Sequence, residues 1–300
     1  MVQPASRSVM TVIPAMQTRD GAGVVLYRSL GQAPGVRLDP FLMLDEFGSE
    51  RPDEYIAGFP PHPHRGFQTV TYMLEGHMLH EDHLGNRGHL RSGGVQWMNA
   101  GRGIIHSEMP QQEHGRMRGF QLWINLPAKE KMSEPFYLDL AAESVPVYTE
   151  PSGLSIKVIA GQLPCAGGVV GPVSGMSTEP IFWDLALQAG ESFRETLPAS
   201  HHVYVYVYEG GVLLPGKAGG PTIELASRHG AVLGIGEIFE CTATPSGARL
   251  LVLAGRPLGE PVVQHGPFVM NSEDEIREAI RDYRDGRLAL TAAAARQSTV

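Results

Sequence analysis

The chain has 300 residues, of which 42% are hydrophobic and 19% charged, so it is long enough to bury a sizeable core. Its formal net charge of −8 opposes non-specific attraction to nucleic acid or anionic lipid, because both depend on Lys and Arg neutralising phosphates. Two cysteines, Cys165 and Cys241, cannot make a disulfide framework, and no apolar stretch approaches the length of a membrane span. We therefore expect a reduced, cytoplasmic protein with no membrane and no direct nucleic-acid partner.

Short apolar segments separated by turn residues run along most of the chain. The 36 glycines and 23 prolines favour many short strands over long helices. We expect residues 1–20 to form a loose lead-in and residues 21–135 to form an N-terminal half. Within that half, apolar and β-branched runs predict strands at 24–30, 41–44, 67–74, 95–98 and 120–126.

A change of composition at 127–149, where prolines fall among charged residues, predicts the boundary before a C-terminal half at 150–265. Its strand candidates are 154–159, 181–187, 203–208, 231–233 and 250–253. Residues 203–208 alternate Val and Tyr, so the two residue types should line opposite faces of one strand. A Glu-Gly pair follows a strand in each half, at 75–76 and 209–210, which indicates two related β units.

The final segment, 266–290, carries the one clear helix signal, over 272–284. Ser272 can act as N-cap with Glu275 three residues later, the pattern of a capping box. Gly286 stands where a C-terminal cap is needed. An apolar face at helical spacing is formed by Ile276, Ala279, Ile280 and Tyr283.

Eight of the 12 histidines lie between positions 62 and 114. Two local arrangements have i,i+2 spacing: His62 with His64, and His106 with Glu108. In an extended chain, residues i and i+2 project to the same face, so each arrangement offers two ligand side chains on one side. If both strands face one barrel interior, three imidazoles and one carboxylate converge there. Because prolines at 61 and 63 cannot donate ladder hydrogen bonds, the first arrangement is expected at an edge strand or at the start of a strand.

The other histidines have weaker signals, since an isolated histidine is usually a surface or satisfied polar residue. His77 and His80 follow a glycine turn, and we expect them to be solvated in a hairpin. Further candidates on composition alone are His83, His89 and His114. Adjacent histidines at 201 and 202 face opposite ways in a strand, and the C-terminal half offers no matching ligand set.

The glycines before His106 and the arginine after His64 can each be interpreted in two ways. The glycines at 101 and 103 let the backbone turn sharply before His106, which is either an ordinary tight turn or a device that brings this side chain into the barrel. Arg65 follows the first arrangement. We expect it to be exposed or ion-paired, with the steering of an anionic ligand as the alternative.

Four long motifs, in a fixed order across most of the chain, resemble signatures of the pirin family. They are DPFLMLDEF at 39–47, HPHRGF at 62–67, VQWMNAGRGIIHSE at 95–108 and GPFVMN at 266–271. The resemblance implies an all-β bicupin, in which two jelly-roll-like β-barrel domains pack together and are followed by a C-terminal helix. It also implies one mononuclear metal in the N-terminal cupin, most often iron, with the ligands His62, His64, His106 and Glu108, and a C-terminal cupin without metal.

Two positions depart from the family pattern: Gln68 stands where Glu is frequent, and His83 where Ser is frequent, which could alter the choice of substrate. Three imidazoles and a carboxylate suit Fe(II), and also Mn, Ni, Cu or Zn. Bacterial-type members resemble quercetin 2,3-dioxygenases, which implies a small aromatic flavonol and O2 as substrates, carbon monoxide as a product, and Glu108 as the base that takes the flavonol 3-hydroxyl proton. The alternative is an iron-binding, redox-sensitive regulatory protein that binds protein partners, similar to a transcription co-regulator.

Overall fold

The computed structural model describes residues 5–33, 35–217 and 220–289, and this part of the chain is built mainly of strands. The strands are β1 (Val9–Pro14), β2 (Met16–Asp20), β3 (Val24–Leu30), β4 (Phe41–Ser49), β5 (Phe59–His64), β6 (Phe67–Glu75), β7 (His77–Asp82), β8 (Arg87–Arg91), β9 (Val95–Asn99), β10 (Ile104–Pro110), β11 (Met117–Asn125), β12 (Phe136–Leu140), β13 (Val147–Thr149), β14 (Ser155–Ala160), β15 (Gln162–Leu163), β16 (Val169–Val170), β17 (Ile181–Leu187), β18 (Ser192–Thr196), β19 (His202–Leu214), β20 (Ile223–Ala226), β21 (His229–Leu233), β22 (Ile238–Gly255), β23 (Val263–His265) and β24 (Phe268–Met270). Short 3-10 helices are formed by Pro52–Glu54, Ala128–Glu130, Ala142–Ser144 and Cys165–Gly167, and the α-helix α1 by Glu273–Arg284.

The chain divides into two compact units, each assembled from separate stretches of sequence. The N-terminal unit comprises the described parts of 17–26, 41–142 and 258–300. The C-terminal unit comprises the described parts of 1–16, 27–40 and 143–257. The beginning of the chain therefore belongs to the C-terminal unit, and the end of the chain belongs to the N-terminal unit.

The expectation of a loose lead-in over 1–20 is wrong where the structure describes it, because β1 and β2 are strands. β1 pairs antiparallel with β21, with Val12 opposite Ala231. The guanidinium of Arg7 is buried and donates to the carbonyl oxygens of Gly234 and Pro198. The run Val-Met-Thr-Val-Ile at 9–13 is mostly β-branched, which is a strand signal, and backbone pairing holds this segment while most of its side chains stay exposed. Residues 1–4 lie outside the described part.

Two sheets of the N-terminal unit share one apolar core. The first contains the order β12-β9-β6-β11-β4, and the second the order β5-β10-β7-β8. Phe47, Met73 and Met117 from the first sheet lie in one buried cluster with Met78 and Leu90 from the second. Because side chains from both sheets meet in this cluster, the sheets face each other across a common interior, as in a sandwich or barrel.

The C-terminal unit contains a sheet with the order β1-β21-β19-β22-β17-β14-β13. The valines of β19 at 203, 205 and 207 lie in its apolar core cluster together with Trp183. The tyrosines at 204, 206 and 208 lie outside that cluster, which confirms the predicted alternation, but they too are buried. The Tyr208 hydroxyl donates to Asp184 at 2.5 Å, so the polar tip of at least this ring is satisfied.

Helix α1 forms as predicted, so the all-β architecture with a C-terminal helix is confirmed. The Ser272 hydroxyl accepts from the Glu275 backbone N–H, and Gly286 takes a φ of +70° just past the helix. Ile276 and Ala279 are buried, whereas Tyr283 is 42% exposed at the edge of the predicted apolar face. Among the described residues, no helix is long and apolar enough to cross a membrane.

A buried lysine joins three segments of the N-terminal unit. The ammonium of Lys131 donates to the carbonyl oxygens of Gly66 at 2.8 Å and Val269 at 3.0 Å, and to the side-chain oxygen of Asn125 at 2.7 Å. Burial lowers the pKa of Lys131 to about 8, while three oxygen acceptors satisfy its three protons. This one side chain links the residue before β6, the end of β11 and strand β24.

Replacing this lysine should destabilise the fold. In Lys131→Met the three oxygens lose a buried donor, and we expect the free energy of unfolding to fall by about 2–4 kcal/mol. Chemical denaturation followed by circular dichroism measures the change. Lys129→Met, two residues away on a side chain that is 77% exposed, is the matched control and should stay within about 0.5 kcal/mol of the wild type. Equal stability of the two variants would contradict this role of Lys131.

Candidate metal centre

The two histidine arrangements lie on neighbouring antiparallel strands, β5 and β10. His106 is opposite His62 in the register, and Ile104 is opposite His64. β5 is the edge strand of its sheet, which confirms the position that its prolines predicted. Backbone pairing therefore brings together side chains that are more than 40 residues apart in sequence.

Three imidazoles form a compact cluster. One ring nitrogen each from His62, His64 and His106 lie within 4.8 Å of one another. The ring centroids are separated by 4.7 Å between His62 and His64, 4.4 Å between His62 and His106, and 4.9 Å between His64 and His106. His64 and His106 are buried, and His62 is half-buried. This triad could hold one metal ion.

Hydrogen bonds distinguish the nitrogens that are free to bind a metal. The Nδ1 of His62 lies 2.8 Å from the Pro60 carbonyl oxygen, so it carries the proton and leaves Nε2 as the electron-pair donor. The Nδ1 of His106 is hydrogen-bonded to another histidine. Within the described part of the chain, the buried Nε2 of His106 and both buried ring nitrogens of His64 have no hydrogen-bond partner. Buried polar atoms normally have partners, so Nε2 of His106 and either nitrogen of His64 fit a metal-ligating role.

The electrostatics favour neutral imidazoles. Burial lowers the pKa of His64 well below its usual value, and the neighbouring His62 lowers it further. The pKa of His106 is lowered in the same way, first by burial and then by the proximity of His64. Only a neutral imidazole has a lone pair for a metal, so the environment of both residues keeps them in the ligating form at neutral pH.

Glu108 lies on β10 as predicted, but its carboxylate is not one of the three groups in the compact cluster. The register between β10 and β5 shifts between His106 and Glu108, so spacing along the strand does not fix how the two side chains relate. The buried carboxylate accepts from the Thr71 hydroxyl at 2.9 Å and from the Gln121 side-chain amide at 3.1 Å. These two donors fix its orientation.

Thr71 and Gln121, the two donors to Glu108, were missed by the sequence analysis. They lie opposite each other on β6 and β11, in segments identified only as strands. The available signal was their polarity, since each interrupts a run of apolar residues in a buried strand. A polar side chain at such a position needs a buried partner, and the partner here is Glu108.

The expectation that His80 is solvated is wrong: its side chain is 1% exposed. β7 pairs with both β8 and β10, so it is an interior strand of the sheet and not a free hairpin arm. The Nδ1 of His80 lies 3.2 Å from the Nδ1 of His106, and its ring stacks on Tyr137 with centroids 4.7 Å apart. His77, by contrast, is only half-buried, and its Nε2 lies 2.9 Å from the Nδ1 of His89.

The remaining candidates near the triad have defined partners. The exposed His83 accepts a hydrogen bond at Nδ1 from the backbone N–H of Ile105, next to His106. Gln68 is buried and accepts from the Trp97 indole N–H at 3.2 Å. Arg65 is ion-paired, as expected, with Asp282 of α1 at 2.9 Å.

The glycine turn before His106 has a steric cause. Gly101 has a φ of +47°, and a Cβ atom at this position would lie 2.2 Å from the Ser133 carbonyl oxygen. A residue with a side chain would have to adopt a rare backbone conformation and displace the neighbouring segment. The tight turn that leads into β10 therefore depends on glycine.

The histidines of the C-terminal unit are bonded to backbone carbonyl oxygens. His201 lies 3.0 Å from the carbonyl oxygen of Glu179. His202 lies 2.7 Å from that of Asp39, and His229 lies 3.0 Å from that of Ser227. Each of the three rings thus uses one nitrogen in a local hydrogen bond.

Comparisons with known proteins agree on one family. A family model described as Pirin matches residues 23–124, and one described as Pirin C-terminal cupin domain matches residues 182–289. A Pseudomonas aeruginosa protein named "Putative quercetin 2,3-dioxygenase" is 52% identical over 286 residues, which cover 95% of this chain and 99% of that protein. A Caulobacter vibrioides "Pirin-like protein" is 46% identical over 94% of this chain and 99% of that protein. The crystal structure of a quercetin 2,3-dioxygenase from Acinetobacter baumannii superposes with a TM-score of 0.85 at 32% identity, covering 95% of this chain and 99% of that one.

The lowered pKa values of the two buried histidines predict how stability depends on pH in the metal-free protein. The unfolded chain binds protons on these residues near pH 6.5, whereas the folded chain keeps both neutral. The free energy of unfolding should therefore fall as the pH drops below 6.5, by about 1.4 kcal/mol per pH unit for each of the two groups. Denaturation in the presence of a chelator at several pH values measures this slope.

A substitution assigns the slope to these residues. His64→Gln removes one of the two groups and should reduce the slope below pH 6.5 by about 1.4 kcal/mol per pH unit relative to the wild type. His114→Gln, on an exposed loop, should leave the slope unchanged. An identical pH dependence in His64→Gln and wild type would contradict the neutral state of His64.

Proposed function

The chain belongs to the pirin family and has the predicted two-cupin fold, and from this premise we propose that it is a metal-dependent dioxygenase that cleaves a flavonol such as quercetin. The reaction consumes O2 and releases carbon monoxide. The observation that carries the proposal is the cluster of three imidazoles, which could hold a metal ion. The chain that contains this cluster is similar over nearly its whole length to proteins named as quercetin 2,3-dioxygenases.

The ligands that we propose for the metal are His62, His64, His106 and Glu108. The support comes from the unpartnered Nε2 atoms of His64 and His106 and from the His62 tautomer that leaves its Nε2 free. Three nitrogens and one carboxylate suit Fe(II), which we propose as the metal, and the same donors also suit Mn, Ni, Cu and Zn. Four protein ligands leave coordination positions for small molecules on a six-coordinate ion.

Two buried aromatic rings surround the imidazole of His64. The ring of His64 packs edge-on against Phe67, with centroids 5.1 Å apart, and against Trp123, with centroids 5.4 Å apart. Because both rings are buried, they hold the imidazole in place. The substrate class is proposed from the likeness to quercetin 2,3-dioxygenases, and a flavonol carries a hydroxyl group beside a carbonyl group, a pair that can chelate a metal.

When bound, the metal supplies Lewis acidity toward a substrate hydroxyl and redox capacity toward O2. The protein supplies the base. Glu108 accepts the proton of the flavonol 3-hydroxyl, and the resulting anion carries the electron density that reacts with O2. Thr71 and Gln121 hold the Glu108 carboxylate in one orientation, so the base is positioned before the substrate arrives.

Metal content tests the ligand set. His106→Ala removes one nitrogen donor from the cluster and should lower the metal bound per chain severalfold, measured by elemental analysis after reconstitution with Fe(II) under anaerobic conditions. His114→Ala removes an exposed histidine outside the cluster and should bind as much metal as the wild type. Full metal occupancy in His106→Ala would refute the assignment.

Product analysis tests the reaction. Iron-loaded wild-type protein incubated with quercetin in air should bleach the flavonol absorbance and release one carbon monoxide per flavonol consumed. Glu108→Gln removes the base, and we expect its turnover per bound metal to fall on the order of 10²–10⁴-fold. If wild-type protein loaded in turn with Fe, Mn, Ni, Cu and Zn releases no carbon monoxide, the dioxygenase proposal fails, and the regulatory alternative takes its place.

A further inference from the structure

We propose that His80 is a positioning residue for the metal centre: it accepts a hydrogen bond from His106, and the nearby carboxylate of Asp82 polarises its other N–H. The inference rests on the metal site of the proposed function, but not on the flavonol reaction. It assigns a role to a buried histidine that lies outside the proposed ligand set.

The contact between the two histidines fixes both tautomers. Their Nδ1 atoms are 3.2 Å apart, and two nitrogens that share a hydrogen bond hold a single proton between them. If His106 uses its unpartnered Nε2 as the metal ligand, its proton must be on Nδ1, which makes it the donor. His80 Nδ1 is then the acceptor, so the proton of His80 must be on Nε2.

Asp82 lies where that second proton is. Its Oδ2 atom is 3.7 Å from His80 Nε2, and both side chains are almost completely buried. This separation exceeds a hydrogen bond, and within the described part of the chain Nε2 has no hydrogen-bond partner, so the carboxylate acts on the N–H through its charge. The carboxylate is held by the backbone N–H groups of Leu84 and Asn86 and by the Asn86 side-chain amide. A fixed negative charge thus faces the N–H of His80, and the polarisation passes through His80 to His106. Such outer contacts make a ligating imidazole a stronger base and fix its ring orientation.

The sheet holds the three residues in place. β10 pairs with β7 so that His106 is opposite Asp82 and Glu108 is opposite His80. The ring of His80 also stacks on Tyr137 with an interplanar angle of 28°. The Tyr137 hydroxyl in turn accepts from Gln96 at 2.8 Å. The side chain of His80 is therefore already ordered, so metal binding would cost it little conformational entropy.

A positioning role and a packing role for His80 make different demands on its side chain. Packing against Tyr137 requires volume, whereas the contact with His106 requires an acceptor atom at the Nδ1 position. His80→Asn places its side-chain oxygen near that position and keeps the acceptor, whereas His80→Leu fills space without an acceptor. The pair of variants therefore separates a positioning role from a packing role.

The experiment measures the affinity of the full-length, metal-free protein for Co(II) alone, by titration of the Co(II) visible absorption, with no flavonol present. We expect His80→Leu to raise the Co(II) dissociation constant roughly 10- to 100-fold and His80→Asn to recover most of that loss. Asp82→Asn should raise it by a smaller factor and shift the Co(II) spectrum. His77→Leu, on the same strand but paired with His89 away from the triad, is the matched control and should bind as the wild type does.

Denaturation midpoints of all variants are measured in parallel. Wild-type affinity in His80→Leu, while His106→Ala loses Co(II), would overturn the role of His80 and leave the metal site intact. Equal loss in His80→Asn and His80→Leu, at matched midpoints, would show that His80 acts only through packing and would also overturn it. If His80→Leu fails to fold, Asp82→Asn provides the test. A weakened Co(II) affinity in Asp82→Asn would support the effect of Asp82 on His106 through His80, and unchanged affinity and spectrum would contradict it. Full Co(II) affinity in His106→Ala would instead refute the metal site itself.

Discussion

The pairing of β10 with two neighbours is the constraint on which the candidate centre depends. On one side, β5 sets His62 opposite His106 and brings His64 to the same cluster. On the other side, β7 sets Asp82 opposite His106 and His80 opposite Glu108. A slip of one residue in either register would turn the side chains of β10 to the other face of the sheet. The glycine turn at Gly101 and the hydrogen bond from Ile105 to His83 lie next to this strand and help to fix where it begins.

Burial gives these polar groups their chemical character. An imidazole withdrawn from water favours its neutral form, and a neutral imidazole with no hydrogen-bond partner costs free energy that a metal ion can recover. The carboxylate of Glu108 has a different environment, because a hydroxyl and an amide already donate to it. The unit therefore contains buried imidazole nitrogens without hydrogen-bond partners and a carboxylate whose orientation is already fixed by two donors.

The sequence predicted the strand-rich architecture, helix α1 and the grouping of His62, His64 and His106, because each has a local signature. Alternation, capping and i,i+2 spacing are properties of a few adjacent residues. It did not predict the burial of His80, because that depends on β7 lying between two other strands. Nor did it predict the register shift before Glu108 or the donors Thr71 and Gln121, which come from distant strands. The lead-in was mispredicted although residues 9–13 are mostly β-branched, because the strand that they pair with, β21, lies more than 200 residues away in sequence.

The way in which the chain is divided has a consequence for biosynthesis. The unit that carries the histidines includes residues from 258 onward, and two of its buried cations find partners there: Lys131 with the carbonyl oxygen of Val269, and Arg65 with Asp282. A ribosome makes these partners after it has made β5 to β12. A nascent chain that has emerged only through β12 can pair its strands, but it lacks one of the three acceptors of Lys131 and the ion-pair partner of Arg65 until residues 269–282 are synthesised. Completion of the unit that carries the histidine cluster therefore waits for the segment from 258 onward, although the histidines themselves are made earlier.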